Sequence, residues 1–209
     1  MPIIATGKSG GDFEPVSEGL HTAVCTSVID LGDQYNERFG NRQRKVRITW
    51  ETPGETITVK GEEKPRIISK EYTLSLSDKA TLRRDLESWR GQSFSDDDIY
   101  VVGFDLQNIL GKPCQITVVH NTSKTGKTYA DIAGIVPISK ETTPPSPSGD
   151  LVYFSLDKDT DLSMIETFPQ FIQDKIKKSL TYEQLLAAKA APKDGDFGPM
   201  DNDSPDLPF

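Results

Sequence analysis

The sequence predicts a mainly β fold, a small barrel of five strands interrupted by one helix, with a C-terminal helical extension and a disordered acidic tail. Three observations carry this expectation. Segments with β-branched residues and period-two alternation recur before residue 138, one stretch between the third and fourth of them switches to helical period, and a Pro/Ser/Thr-rich stretch then leads to a region with helix-capping signals. The 209 residues are 35% hydrophobic and 8% aromatic, enough for one core of ordinary size and too little for a large multi-domain enzyme.

The first strand is expected over Leu20–Leu31, an apolar, β-branched run bounded by Gly19 and Gly32 and long enough to bend strongly around a barrel. The second covers Arg42–Glu51, where Val46, Ile48 and Trp50 alternate with Lys45, Arg47 and Thr49, so that one face looks inward and the other carries charge and hydroxyl. Arg66–Leu76 is the third. The intervening Thr52–Pro65 is polar and marked by Gly and Pro, with a minor hairpin around Thr56–Lys60. A helix follows, capped by Ser77 or Asp78, with Leu82, Leu86 and Trp89 recurring at i, i+4 and i+7 and Gly91 closing it after about three turns. Gln92–Tyr100 reads as a loop. Pro113–Val119 and Thr128–Val136 are the last two strands, joined by the polar hairpin His120–Lys127. Three strands, one helix and two strands is the order of an OB-fold barrel, whose second and third strands and 1–2 and 4–5 loops form the usual oligonucleotide surface. An α+β sandwich with the same element order is the alternative.

Residues 1–138 thus form the barrel domain, 139–150 a linker, 151–191 a helical extension and 192–209 a disordered acidic tail. In the extension, Leu151–Leu156 is a short apolar segment, Asp161 precedes Leu162–Phe168, Pro169 suits a first helical turn for Gln170–Ser179, and Thr181 with Gln184 forms a capping-box pattern for Thr181–Ala191. Ile165, Phe168, Phe171, Ile172 and Ile176 need burial, either back on the barrel or against a second copy.

The formal net charge is -8, which at first sight argues against a polyanionic partner. The excess is uneven: residues 1–138 hold 17 basic and 19 acidic side chains, whereas 139–209 hold 7 and 13. Inside the nearly balanced domain, Asp33–Trp50 contains five basic and two acidic residues interleaved with Tyr35 and Phe39. Single-stranded nucleic acid requires this mixture, cations for phosphates and rings on which bases stack. Tyr35, Phe39 and Trp50 are the candidate stacking residues, although alternation also places Trp50 in the core. Arg38, Arg42, Arg44, Lys45, Arg47, Lys112, Lys124 and Lys127 are the candidate phosphate contacts, with Tyr129 beside the last two. A solvated edge strand guarded by its Arg and Lys is the alternative for the segment.

Other chemistries have less support. Gly126-Lys127-Thr128 has the ending of a phosphate-binding loop, but Asn121 stands where that motif needs Gly, and the segment joins two strands. His21, Cys25, Cys114 and His120 match a zinc inventory, yet residues four or six apart on an extended strand lie about 13–20 Å apart, too far for one ion. Asp96-Asp97-Asp98 reads as a helix cap or solvated loop rather than a metal site. No catalytic residue, metal or cofactor is expected, and the chain is not expected to be an enzyme.

No run of eighteen apolar residues occurs, and Met1–Gly7 lacks both a basic region and a long hydrophobic segment, so neither a membrane span nor a signal peptide is expected. Two cysteines fit a reducing compartment, and a cytoplasmic protein is expected. The terminus is Asp201-Asn202-Asp203-Ser204-Pro205-Asp206-Leu207-Pro208-Phe209. It resembles the acidic C-terminal tip of bacterial single-stranded DNA-binding proteins, with Asp206-Leu207-Pro208-Phe209 matching the end of that pattern. The resemblance implies docking of Asp201, Asp203, Asp206, Leu207, Pro208 and Phe209 on replication and recombination proteins.

The body of the chain, roughly residues 12–185, resembles a group of bacteriophage single-stranded DNA-binding proteins. Gly19–Gly32, Leu82–Phe94, Phe104–His120 and Gly126–Ile132 carry that likeness. It implies an OB-fold that protects single strands during phage replication and recombination, in the host cytoplasm. The helical segment 151–191 departs from the classical bacterial proteins and from their tetramer; self-association through it is one expectation. A protein-interaction adaptor that does not bind DNA is the alternative function, separable by replacing Arg44, Lys45 and Arg47 with Ala.

Overall fold

A computed structural model describes residues 14–37, 39–59 and 61–190. The chain forms a curled antiparallel sheet, a half-barrel, in the order β3-β2-β1-β4-β5. The strands are β1 (Gly19–Asn36), β2 (Asn41–Val59), β3 (Glu62–Thr73), β4 (Pro113–Thr122) and β5 (Thr128–Val136). β1 organises the sheet. Its first residues pair with β4, from Gly19 opposite Val118 to Val24 opposite Pro113, and from Val24 onward it pairs with β2 as far as Asn36 opposite Asn41. Irregularities after Cys25 and Asp30 let this long strand bend, as bulges do. The open edges, β3 and β5, approach each other where Lys70 Nζ donates to the Ile132 carbonyl (2.8 Å) and to buried Asp85 (2.9 Å).

The inward alternation of β2 is as expected, with Val46, Ile48 and Trp50 buried. Helix α1 (Thr81–Arg90) plugs the half-barrel with Leu82, Leu86 and Trp89, and Gly91 closes it at φ 68, a left-handed conformation that favours glycine. Its start differs from expectation. Ala80 stands at the N-cap with no side-chain cap, because Ser77 contributes its carbonyl to the Ala80 amide and Asp78 pairs with Arg83 at 2.6 Å. The expected loop Gln92–Tyr100 also contains a short helix α2 (Asp96–Tyr100), in which Ser95 and Asp98 form a reciprocal capping box. A 3-10 turn over Leu106–Ile109 follows, burying Leu106 and Ile109.

Residues 139–150 carry no helix or strand, and Glu51 accepts from both the amide and the hydroxyl of Ser148 (2.9 Å each). The chain then returns to β1. Strand β6 (Val152–Phe154) pairs parallel with Ser27–Ile29, a 3-10 turn runs over Leu162–Thr167, and helices α3 (Gln170–Lys177) and α4 (Leu180–Ala190) complete the extension. A second core forms between Ile29 and Leu31 of β1 and Phe154, Leu156, Ile165, Phe168, Ile172 and Ile176. Burial on both faces explains why this stretch of β1 is nearly continuously apolar. Of the five extension residues expected to need burial, four are in this core and Phe171 is 51% exposed.

Polar contacts fasten the extension to the end of β1. Asp30, 7% exposed, accepts from the amides of Gly32 (2.9 Å) and Leu156 (3.2 Å) and pairs with Arg44. Gln34 Nε2 donates to the Lys175 carbonyl (2.9 Å). The Asp33 amide donates to the Thr181 hydroxyl (2.9 Å), which donates back to the Asp33 carboxylate (2.8 Å). Thr181 therefore serves as a latch rather than as the expected helix cap; Ser179 Oγ instead accepts from the Tyr182 amide (3.1 Å).

Candidate nucleic-acid interface

The β1–β2 hairpin extends the basic, aromatic segment beyond the second core. Tyr35 lies opposite Arg42 in the register, is 59% exposed, and has the Arg42 guanidinium 6.0 Å from its ring centroid. Phe39 occupies the tip, 64% exposed, where its amide bonds the Asn36 carbonyl (3.2 Å) and Gly40 turns the chain at φ 61. A ring and a cation thus stand one pair from the turn and a second ring stands within it, a combination able in principle to stack bases and pair phosphates. Arg38 lies outside the described residues.

A polar ladder runs along the outer face of β2 and β3, the face of β2 opposite to that of Arg42 in the strand alternation. Lys45 opposes Thr73, Arg47 opposes Glu71 and Thr49 opposes Ser69. Lys45 Nζ bonds two neutral groups, Gln43 Oε1 (3.0 Å) and Thr73 Oγ1 (2.7 Å), leaving its charge uncompensated by these contacts. Arg47 reaches Glu71 at 3.2 Å, and Lys175 of α3 reaches the same carboxylate at 2.6 and 2.7 Å. The Arg47 guanidinium also lies 5.2 Å from the Phe171 ring centroid.

Two expected contacts are corrected. Trp50 is completely buried, tilted against Trp89 at 6.0 Å between centroids, so it supports the core and has no face for a base. Arg44 is committed to Asp30 and to the Leu156 carbonyl (3.0 Å), joining barrel to extension. The hydrogen bond to Asp30 holds its proton even more firmly than usual. Both residues lie on the inward register of β2 with Val46 and Ile48, which removes them from the outer ladder.

The other expected residues are dispersed. Lys124, Lys127 and Tyr129 are exposed on the β4–β5 hairpin, whose turn is tied by the Ser123 amide to the Lys127 carbonyl (2.9 Å). That hairpin lies beyond the β4-paired end of β1, whereas Tyr35 and Phe39 lie beyond the other end. Lys112, also exposed, lines a separate cleft of about 300 Å³ with Trp89, Arg90 and Phe104. A cavity of about 520 Å³ is walled by Val16, Ile57, Val59 and Ile67, with Glu14 and Glu51 balanced by Lys64 and Arg66 at its edge. Asp201, Asp203, Asp206, Leu207, Pro208 and Phe209 lie outside the described residues.

Phe171, Lys175 and Lys178 were not among the expected contacts. Their spacing, i, i+4 and i+7, puts Phe171 and Lys175 of α3 and the C-cap Lys178 on one stripe, beside the Ile172/Ile176 stripe that is buried. The remaining reactive side chains have structural roles. Burial pushes the Cys25 thiol up to about 12 and raises that of Cys114 as well. His21 and His120 bond the carbonyls of Ser17 and Val16 (2.8 Å each), fastening the segment before β1. Among the described residues no group of three or more His, Cys, Asp or Glu is placed to hold a metal ion, and no helix is long and apolar enough to cross a membrane. No protein-family model matches the sequence, and no curated protein matches it.

Proposed function

We propose that this chain binds single-stranded DNA without sequence preference, through the β1–β2 hairpin and the outer face of β2 and β3 of an OB-type barrel. The observation that carries the reading is the hairpin end, where Tyr35 and Phe39 stand exposed and Arg42 lies over the Tyr35 ring, on the same strand whose opposite face carries the Lys45/Arg47 ladder. Rings take base faces irrespective of base identity, and the cations neutralise backbone phosphates. The strand order β3-β2-β1-β4-β5, with α1 packed into the sheet between β3 and β4 in the chain and β3 facing β5, supports the OB-type assignment. In this reading the protein shields single strands in phage replication and recombination, and its acidic terminus recruits partner proteins.

The test is affinity for a mixed-sequence single strand, measured by fluorescence anisotropy at two salt concentrations. Tight binding at low salt that weakens as salt rises is expected, and Tyr35→Ala with Phe39→Ala should weaken it by about 5- to 150-fold per lost stack, the equivalent of roughly 1–3 kcal/mol each. Absence of binding at low salt overturns the proposal.

A further inference from the structure

The Arg47–Glu71–Lys175 cluster joins β2, β3 and α3 on the face proposed to take DNA. One carboxylate there holds two cations, and its three members are only partly exposed, at 21%, 30% and 43% of their side chains. The cluster therefore keeps a surplus positive charge, which Lys45 two residues along β2 and exposed Lys178 one turn along α3 increase. Asp174, the acidic residue of α3, bonds Gln170 on its own helix (2.9 Å). Phe171 stands beside the cluster with half its ring open and the other side met by Arg47.

A helix whose only task was to cover β1 would need Ile172 and Ile176 and nothing from the adjacent stripe. The stripe Phe171, Lys175, Lys178 instead presents a ring followed by two cations, where the hairpin presents two rings and the cation Arg42. We propose that α3 forms one wall of the single-strand groove, and that Glu71 is an internal anion that holds Arg47 and Lys175 until a backbone phosphate takes its place. This rests on the reading of the chain as a single-stranded DNA-binding protein. Glu71 then sets affinity by competition: DNA must displace a carboxylate already seated between the two cations, so binding is weaker and less salt-dependent than the cations alone would make it.

The experiment compares the full chain with Glu71→Gln, Lys175→Gln and Phe171→Ala, using the same mixed-sequence single strand over a salt series. Glu71→Gln keeps the shape and removes the competing charge; the expected result is about fivefold tighter binding at low salt, the ratio equivalent to about 1 kcal/mol for unit charges 4 Å apart in water. Its salt slope should steepen by about one phosphate equivalent. Lys175→Gln and Phe171→Ala should each weaken binding several-fold. A gain cannot come from misfolding, and thermal unfolding of the two weakening variants checks that α3 stays docked. Unchanged or weaker binding by Glu71→Gln overturns the place-holder role. If Tyr35→Ala weakens binding while Lys175→Gln and Phe171→Ala do not, α3 is not a wall, and the proposed function survives. If the unaltered chain fails to bind, both fall.

Discussion

Gly32 is the position at which a single added methyl group should do most damage relative to its size. Its φ of +71 is left-handed, and a Cβ there would collide with Ser179 Oγ, lie 2.7 Å from Ser179 Cβ and 3.1 Å from Leu156 Cδ1. The left-handed conformation costs a non-glycine residue about 1–2 kcal/mol. Forcing an extra carbon into a packed site costs about 1–3 kcal/mol more. Gly32→Ala should therefore lose about 2–5 kcal/mol by these combined terms. Ser179→Gly alone removes the hydroxyl that accepts from the Tyr182 amide, and because glycine is itself tolerated at a helix N-cap this costs only about a few tenths of a kcal/mol. It also removes both of the nearest atoms, so in the double variant most of the steric part should disappear, leaving the Leu156 contact and the backbone part. Urea unfolding followed by tryptophan fluorescence and circular dichroism would give the four stabilities, with a favourable coupling of about 1–3 kcal/mol expected between the two substitutions. A loss below about 0.5 kcal/mol for Gly32→Ala, or strict additivity in the double variant, would refute the reasoning.

Two further outcomes follow from buried or hydrogen-bonded titrating groups. Glu87 accepts from the Phe94 amide and from Arg83 (3.0 Å each), and these bonds hold its carboxyl below the usual range. Because the folded value is the lower one, its stabilisation is complete above the unfolded carboxyl pKa of about 4.3 and fades as pH falls through the folded value. The gap in melting temperature between the parent and Glu87→Gln should accordingly be widest near neutrality and close on acidification; a constant gap would exclude this linkage. Cys25 and Cys114, with thiols raised by burial, should resist iodoacetamide at about pH 8 in the folded protein and react once urea unfolds it. Rapid labelling without denaturant would mean that the β1–β4 interface opens.

Much of the barrel was legible because its signals are local. Period-two alternation located the inner face of β2, β5 spans Thr128–Val136 as expected, and Gly91 ends α1 where its periodicity stops. The proximity of Tyr35, Phe39 and Arg42 was legible for the same reason, since adjacent strand ends and their turn hold them close. What the sequence did not disclose depends on partners far along the chain. Arg44 looks like any cation of the basic segment until Asp30 and the Leu156 carbonyl meet it, and Thr181 has the spacing of a helix cap but bonds Asp33 instead. Phe171 reads locally as an apolar residue in need of burial, because nothing local to α3 reveals that Arg47 lies beside it. The polar residues 32–36 carry β1 past its apolar run because pairing with β2, rather than their own propensity, keeps them extended.

The fastening of the extension to β1 has a consequence for how the protein is made. Asp30 bonds Leu156 across 126 positions and Asp33 bonds Thr181 across 148, so the outer side of one of the first strands to leave a ribosome is finished by some of the last residues described. At about 5–20 residues per second, that interval lasts roughly 7–30 seconds of synthesis. Throughout it Ile29 and Leu31 have no covering partner, and closing so long a loop is slow compared with folding of the local hairpins. The nascent chain therefore carries an uncovered apolar strand for most of its elongation, a window in which a chaperone or a second nascent copy competes with its own α3.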